Sequence, residues 1–149
     1  MSARIAVEEV TTATEDVARA LGTLLPQLSS SASALTFAEV DEMARSDATV
    51  LLVARDESGE IVGSLTLALF RVPTGLRAWI EDVVVDETRR GGGTGSALVN
   101  EALARAEAAG ARTVDLTSRP SREAANRLYV KLGFVQRETN VYRYTVESE

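Results

Sequence analysis

The chain has 149 residues, a formal net charge of −6, 45% apolar and 26% charged residues, the balance of a soluble globular protein. It contains no cysteine and no histidine. Disulfides, thiolate or imidazole metal sites and cysteine nucleophiles are therefore excluded, and a catalytic base must be a carboxylate, a lysine, a tyrosine or water.

The first strand is expected at Arg4–Val10, "RIAVEEV", which alternates in polarity. Thr12 or Thr14 then caps a helix through about Leu25, with Val17, Leu21, Leu24 and Leu25 on one face. Pro26 and the run Ser29–Ala34 interrupt it, and Thr36 caps a short second helix, "FAEVDEMARS". Thr49–Arg55 and Glu60–Phe70 read as strands joined by the turn "DESG", a hairpin signal. "VPTG" leads into a further strand, Leu76–Val85.

A glycine segment follows, "ETRRGGGTGSAL", and opens a helix that Gly110 ends. "RTVDLTS" is another strand, and "SREAANRLYVKLG" a helix capped by Ser121 and stopped by Gly133. "FVQRET" and "VYRYTVE" are expected as two closing strands around Asn140. The order β-α-α-β-β-β-α-β-α-β-β contains no repeat and is expected to form one α/β domain spanning 1–149.

No window approaches the ~18 consecutive apolar residues of a membrane span. The N-terminus "MSARIAVEEV" carries no apolar run of signal-peptide type, so a cytoplasmic location is expected. The negative balance argues against nucleic acid or an anionic membrane as a general partner. A local basic patch remains compatible with one anionic ligand.

Four glycines within five residues, Gly91, Gly92, Gly93 and Gly95, give up packing and backbone order and so call for a reason. A P-loop needs Gly-Lys-Ser/Thr at the helix entrance, and no lysine stands there. A dinucleotide fingerprint fits Gly91 and Gly93, with Asp115 about 20 residues on, but its third glycine is Ser96 and too few βα units follow. Arg/Gln-x-x-Gly-x-Gly/Ala fits Arg90, Gly93 and Gly95 residue for residue. Its physics is that of an anion site. The first turn of a helix leaves N–H groups unpaired, the helix dipole adds positive charge, and glycines allow close approach of a pyrophosphate.

"VVVDETRRGGGTGSAL", followed about 30 residues later by "REAANRLYVKLGF", resembles the GNAT superfamily of acyl-CoA N-acyltransferases across nearly the whole chain. The resemblance implies a GNAT-like mixed, mostly antiparallel sheet flanked by helices, with acetyl-CoA as cosubstrate between two splayed central strands and no metal. Those strands would be Leu76–Val85 and Arg112–Thr117. It also implies that the backbone of Val83, Val84 and Val85 engages the acetyl group and pantetheine arm. Arg90, Gly91, Gly92, Gly93, Thr94, Gly95 and Ser96 would wrap the pyrophosphate through main-chain N–H groups. Tyr129 matches the tyrosine that protonates the leaving thiolate. Asn126, one helical turn earlier, would reach the cofactor. Many relatives carry an asparagine seven residues before the tyrosine, where this chain has Arg122. Homodimers are common in the family, although no segment here shows a clear association face.

The reaction so implied joins an acetyl group to a primary amine of a small molecule or peptide, in a ternary complex. A lysine-like amine near pKa ~10.4 costs about 4–5 kcal/mol to neutralise at pH 7. "WIEDVVV" supplies carboxylates at Glu81 and Asp82. Strict alternation would put only one of them toward the acceptor, and Glu81 is favoured as base because it shares a face with Val83 and Val85. A bulge would overturn that parity. Both acids also qualify as ligands for the acceptor ammonium. "IEDVVV" is similar to the corresponding strand of glucosamine-6-phosphate N-acetyltransferases, a hint about layout. The acceptor pocket is expected from the region between the first two helices, including "LSSSASALTF", and from the Leu76–Val85 and closing strands. The alternative reading is a non-catalytic acyl-CoA-binding or sensory module of the same fold.

Overall fold

A computed structural model describes residues 4–31 and 33–147; Ala32, inside the serine/alanine run, lies outside the described residues. Up to Thr117 the chain forms one compact unit, and from Ser118 onward a second.

The first unit is built on a sheet of β1 (Ala6–Val10), β2 (Thr49–Arg55), β3 (Ile61–Val72), β4 (Gly75–Val85) and β5 (Thr113–Asp115). The strands lie side by side in chain order. The first four pair antiparallel, and β4 pairs β5 parallel. This is the mixed, mostly antiparallel sheet expected from the sequence.

Helix α1 (Glu15–Leu28) starts where Thr14 Oγ1 accepts from the Val17 N–H. It runs three residues beyond the expected end because Pro26 falls in its last turn. There proline removes one N–H donor without breaking the turns before it. Helix α2 (Phe37–Arg45) opens with a capping box: Thr36 Oγ1 accepts from the Glu39 N–H at 3.1 Å, and Glu39 Oε1 accepts from the Thr36 N–H at 2.9 Å. Two N–H groups at the helix entrance are thereby satisfied.

Alternation in β2 divides the core. Leu51 and Val53 join Val17, Leu21 and Leu24 of α1, Val40 of α2 and Val84 in one buried cluster. The opposite face of the sheet receives α3 (Thr94–Ala109), which packs on β2, β3 and β4. Gly63 marks the closest approach. A Cβ there would stand 2.9 Å from Thr94 Cγ2 and 3.1 Å from Leu98 Cδ1. Leu65 and Leu67 share that face by period two and are fully buried.

The second unit contains α4 (Glu123–Lys131), with Arg122 rather than Ser121 as N-cap. The segments 134–139 and 141–147, expected as closing strands, form no ladder among the described residues. Val135, Val141, Tyr142, Tyr144 and Val146 are exposed. Their alternating apolar pattern gives strand propensity, but a strand also needs a partner edge. Among the described residues no helix is long and apolar enough to cross a membrane.

Candidate active site

β4 and β5 pair only through Arg77–Thr113, Ala78–Val114 and Trp79–Asp115. Beyond Trp79, β4 continues to Val85 while β5 has ended. Among the described residues, the stretch Ile80–Val85 therefore has β3 on one side and an unpaired edge on the other. Free N–H and C=O groups along such an edge can bond an extended ligand as another strand would. Val83, Val84 and Val85 all lie on it.

The same stretch holds a bulge. Val84 pairs with Ser64 and Glu81 with Thr66, so Asp82 and Val83 together oppose Leu65. Asp82 takes φ 51, the only positive φ among the described non-glycine residues, and aspartate is one of the few side chains that tolerates it. The bulge changes the expected parity. Ser64 and Thr66 share a face, so Glu81 and Val84 share it too, whereas Val85 pairs with Gly63 on the α3 side. Glu81 therefore does not group with Val83 and Val85. Its face is the one covered by α1 and α2.

On that face is a cavity of about 260 Å³, lined by Leu21, Leu25 and Leu28 of α1, Leu35, Met43 of α2 and Leu51 of β2. Ser29, Ser33, Ser64, Thr66 and Asp82 complete it. The region between the first two helices and β4 thus lines this cavity. Asp82 lines the cavity and Glu81 does not, although both are exposed.

After β4 the chain makes a single 3-10 turn, Glu87–Arg89, and then the glycines. Asp86 Oδ1 accepts from Thr88 N at 3.0 Å and from Thr88 Oγ1 at 2.9 Å. These bonds hold the Asp86 carboxyl below the usual carboxylate range, helped by the Arg89 and Arg90 charges. Gln27 Oε1 of α1 accepts from Glu87 N at 2.8 Å. Arg89 reaches Asp56 in the β2–β3 turn at 2.7 Å. Asp56 is bonded also by Ser58 Oγ at 2.7 Å and by the Ser58 and Glu60 N–H groups at 2.9 and 3.0 Å. The Ser58 hydroxyl, the Glu60 N–H and Arg89 together pull its pKa down to about 2. The loop entering the glycines is thus fixed from two neighbouring elements.

Gly91 and Gly93 adopt φ 88 and 86, left-handed conformations that favour glycine. Gly93 is the N-cap of α3, has no side chain with which to cap it, and no acid occupies the first turn. The first intrahelical bond runs from Ala97 N to Gly93 O. The N–H groups of Thr94, Gly95 and Ser96 precede it and are left for an outside acceptor. Thr94 itself is buried against β3, which seats the start of the helix. Arg90, exposed at the entrance, makes no ion pair among the described residues. The backbone thus gathers Arg90 to Ser96 into one donor-rich rim with no opposing carboxylate in the first turn of the helix. An anion fits these residues.

Asn126 and Tyr129 belong to the second unit. The Asn126 amide donates to the carbonyls of Arg119 and Arg122, both at 2.9 Å, and so ties the turn before α4 to the helix. Tyr129 is buried and meets Phe134 edge-on, with ring centroids 5.7 Å apart. Burial pushes its phenol above the ordinary value, opposed by the charge of Arg122. It therefore stays protonated at neutral pH. Among the described residues no group of three or more carboxylates stands together as a metal site would require.

Comparison with solved structures places this architecture. An acetyltransferase from Trypanosoma brucei is 27% identical, with 95% of this chain and 100% of that one covered and a TM-score of 0.76. A glucosamine-6-phosphate N-acetyltransferase from Arabidopsis thaliana is 23% identical over 95% and 98% of the two chains, with a TM-score of 0.74. An aminoglycoside N-acetyltransferase solved in complex with CoA is 14% identical over 98% and 97%, with a TM-score of 0.80, a likeness of fold alone. No curated protein sequence matches the chain. The family model for the acetyltransferase (GNAT) family matches residues 17–134. That span includes the β4 bulge, the glycine rim and α4, and the chain belongs to the GNAT family of acetyltransferases.

Proposed function

We propose that the protein transfers an acetyl group from acetyl-CoA to a primary amine by direct attack in a ternary complex. The observation that carries this reading is the unpaired Ile80–Val85 edge of β4, followed in the chain by the uncapped, glycine-lined N-terminus of α3. An extended arm with amide groups suits the first, and a pyrophosphate suits the second. CoA has both, joined in that order.

In this reading the backbone of Val83, Val84 and Val85 bonds the pantetheine and acetyl groups. Arg90, Gly91, Gly92, Gly93, Thr94, Gly95 and Ser96 hold the pyrophosphate. Each hydrogen bond to the charged oxygens contributes roughly 1.5–3 kcal/mol. Asn126 contacts the cofactor through its remaining amide oxygen. The acceptor arrives from the α1–α2 side, with Asp82 receiving its ammonium and Glu81, directly or through water, taking the proton. The nitrogen then bonds the acetyl carbon as the C–S bond breaks, and the Tyr129 phenol gives its proton to the leaving sulfur. A phenol near pKa ~10 can serve a thiol near ~8.5 only when positioned for it. Burial keeps that phenol in its protonated form.

The test is acetyl-CoA calorimetry together with CoA release over a panel of amines, amino sugars, polyamines and peptides. Tight acetyl-CoA binding with turnover of at least one amine is expected. Binding with no turnover on so broad a panel would favour a non-catalytic acyl-CoA-binding module. Preference for a nicotinamide dinucleotide would contradict the reading outright.

A further inference from the structure

We propose that the acceptor is a small monoamine on an apolar body, an alkyl- or arylalkylamine, with its hydrocarbon against α1 and α2 and its ammonium at Asp82. This rests on the acetyltransferase reading and narrows it to a substrate class. The cavity carries the argument. Its volume of about 260 Å³ lies just below the ~300–1,000 Å³ of typical small-molecule sites. Its apolar walls come from leucines of α1, Leu35, Met43 and Leu51.

The polar groups of the lining are the hydroxyls of Ser29, Ser33, Ser64 and Thr66 and the carboxylate of Asp82. Among the described residues no arginine, lysine, asparagine or glutamine lines the cavity. Ser64, 4% exposed, donates its hydroxyl to the Leu52 carbonyl at 3.2 Å and is committed to the protein. Asp82 is the one formal charge in the lining and makes no salt bridge among the described residues.

Each class of amine meets this lining differently. A sugar phosphate would bring a dianion to a wall with no cation. A polyhydroxylated, polycationic amino sugar would bring more hydroxyls than the few serine and threonine side chains can pair and present several ammonium groups to one carboxylate. A hydrophobic monoamine brings one ammonium for the one carboxylate and covers the apolar walls. Asp82 also belongs to the unpaired β4 edge, so an ammonium held there lies on the strand proposed to carry the acetyl group.

The chemistry balances. The alkylammonium loses one proton, and its nitrogen bonds the acetyl carbon as the C–S bond breaks. The nitrogen gives up a second proton while the leaving sulfur gains one. The products are the N-alkylacetamide, CoA thiol and one released proton.

Straight-chain amines from ethylamine to hexylamine share lysine-like basicity, so differences among them report the pocket and not the cost of deprotonation. With the full chain and saturating acetyl-CoA, kcat/KM should rise about threefold to fourfold per methylene until the cavity is full. Glucosamine, glucosamine 6-phosphate and an aminoglycoside should fall at least tenfold below hexylamine. Leu35→Asn should flatten the chain-length dependence, and Asp82→Asn should raise KM for every amine more than it lowers kcat. Calorimetric titration of hexylammonium and ethylammonium into the CoA-loaded protein reads the same preference without turnover.

A flat chain-length series, or amino sugars preferred over hexylamine, would overturn this inference while leaving the acetyltransferase reading intact. Failure to bind acetyl-CoA would overturn that reading, and with it this one. If acetyl-CoA binds but no amine turns over, the titration decides. Stronger binding of the longer ammonium upholds the pocket's preference, and equal binding refutes it.

Discussion

Replacing Gly93 by alanine separates backbone strain from crowding at the glycine rim. Gly93 stands at φ 86, yet a Cβ built on it meets nothing within 4 Å. The substitution is therefore costly through conformation alone, about 1–2 kcal/mol for a non-glycine residue held in the left-handed region. For a chain of this size that predicts a fall in melting temperature of roughly 3–8 °C. If the loop relaxes instead, the donors at the start of α3 turn away from the ligand. Losing one charge-assisted bond then weakens acetyl-CoA about 10- to 150-fold. Gly92→Ala is the internal control, because Gly92 has no left-handed φ and its Cβ would meet Arg89 O at an ordinary 3.5 Å. Thermal melts and acetyl-CoA calorimetry on both variants provide the readout. Equal behaviour of the two, or a Gly93→Ala protein that melts and binds like the parent, would refute the assignment of Gly93 as a strained cap over an anion.

Gly63→Ala should destabilise by about 1–3 kcal/mol through overpacking, because its Cβ would sit 2.9 Å from Thr94 Cγ2 and 3.1 Å from the Val84 carbonyl; an unchanged urea midpoint would contradict the close contact of β3 with α3. Tyr129→Phe should lower kcat about 10²- to 10⁴-fold while leaving the acetyl-CoA dissociation constant within a few-fold, as expected for loss of a general acid. Since burial raises the Tyr129 pKa, the alkaline limb of the kcat profile assigned to it should lie above that of a free phenol and vanish in the phenylalanine variant. The sign is opposite for Asp56. Its folded pKa of about 2 lies below the 3.8 of an ordinary aspartate, so its stabilising contribution is full above ~3.8 and lost as pH falls through ~2. Urea melts of the parent and Asp56→Asn should differ at pH 6 and converge near pH 2, and a constant difference would exclude the carboxylate as the source.

The glycine turn and the start of α2 were legible because their residues are constrained locally. Arg90, Gly93 and Gly95 announce a donor-rich turn wherever a strand precedes and a helix follows, and Thr36 with Glu39 announces the start of α2. The side of the sheet served by Glu81 was not legible. It depends on a bulge at Asp82 and Val83, and an extra residue in a ladder is visible only once Leu65 is seen opposite both. Pro26 misled in a milder way. A proline ends a helix when it breaks a needed bond, and in the last turn of α1 it breaks one that little depends on. The segments 134–139 and 141–147 show the converse limit. Alternation there specifies what a strand would expose and bury, not which edge it would join.

The most direct measurement is quantitation of both products after mixing the full chain with acetyl-CoA and hexylamine. The account predicts CoA thiol and N-hexylacetamide in equal amounts, at a rate that falls with both Gly93→Ala and Tyr129→Phe. Thiol without the amide, or neither product from a protein that binds acetyl-CoA and the amine, would contradict it.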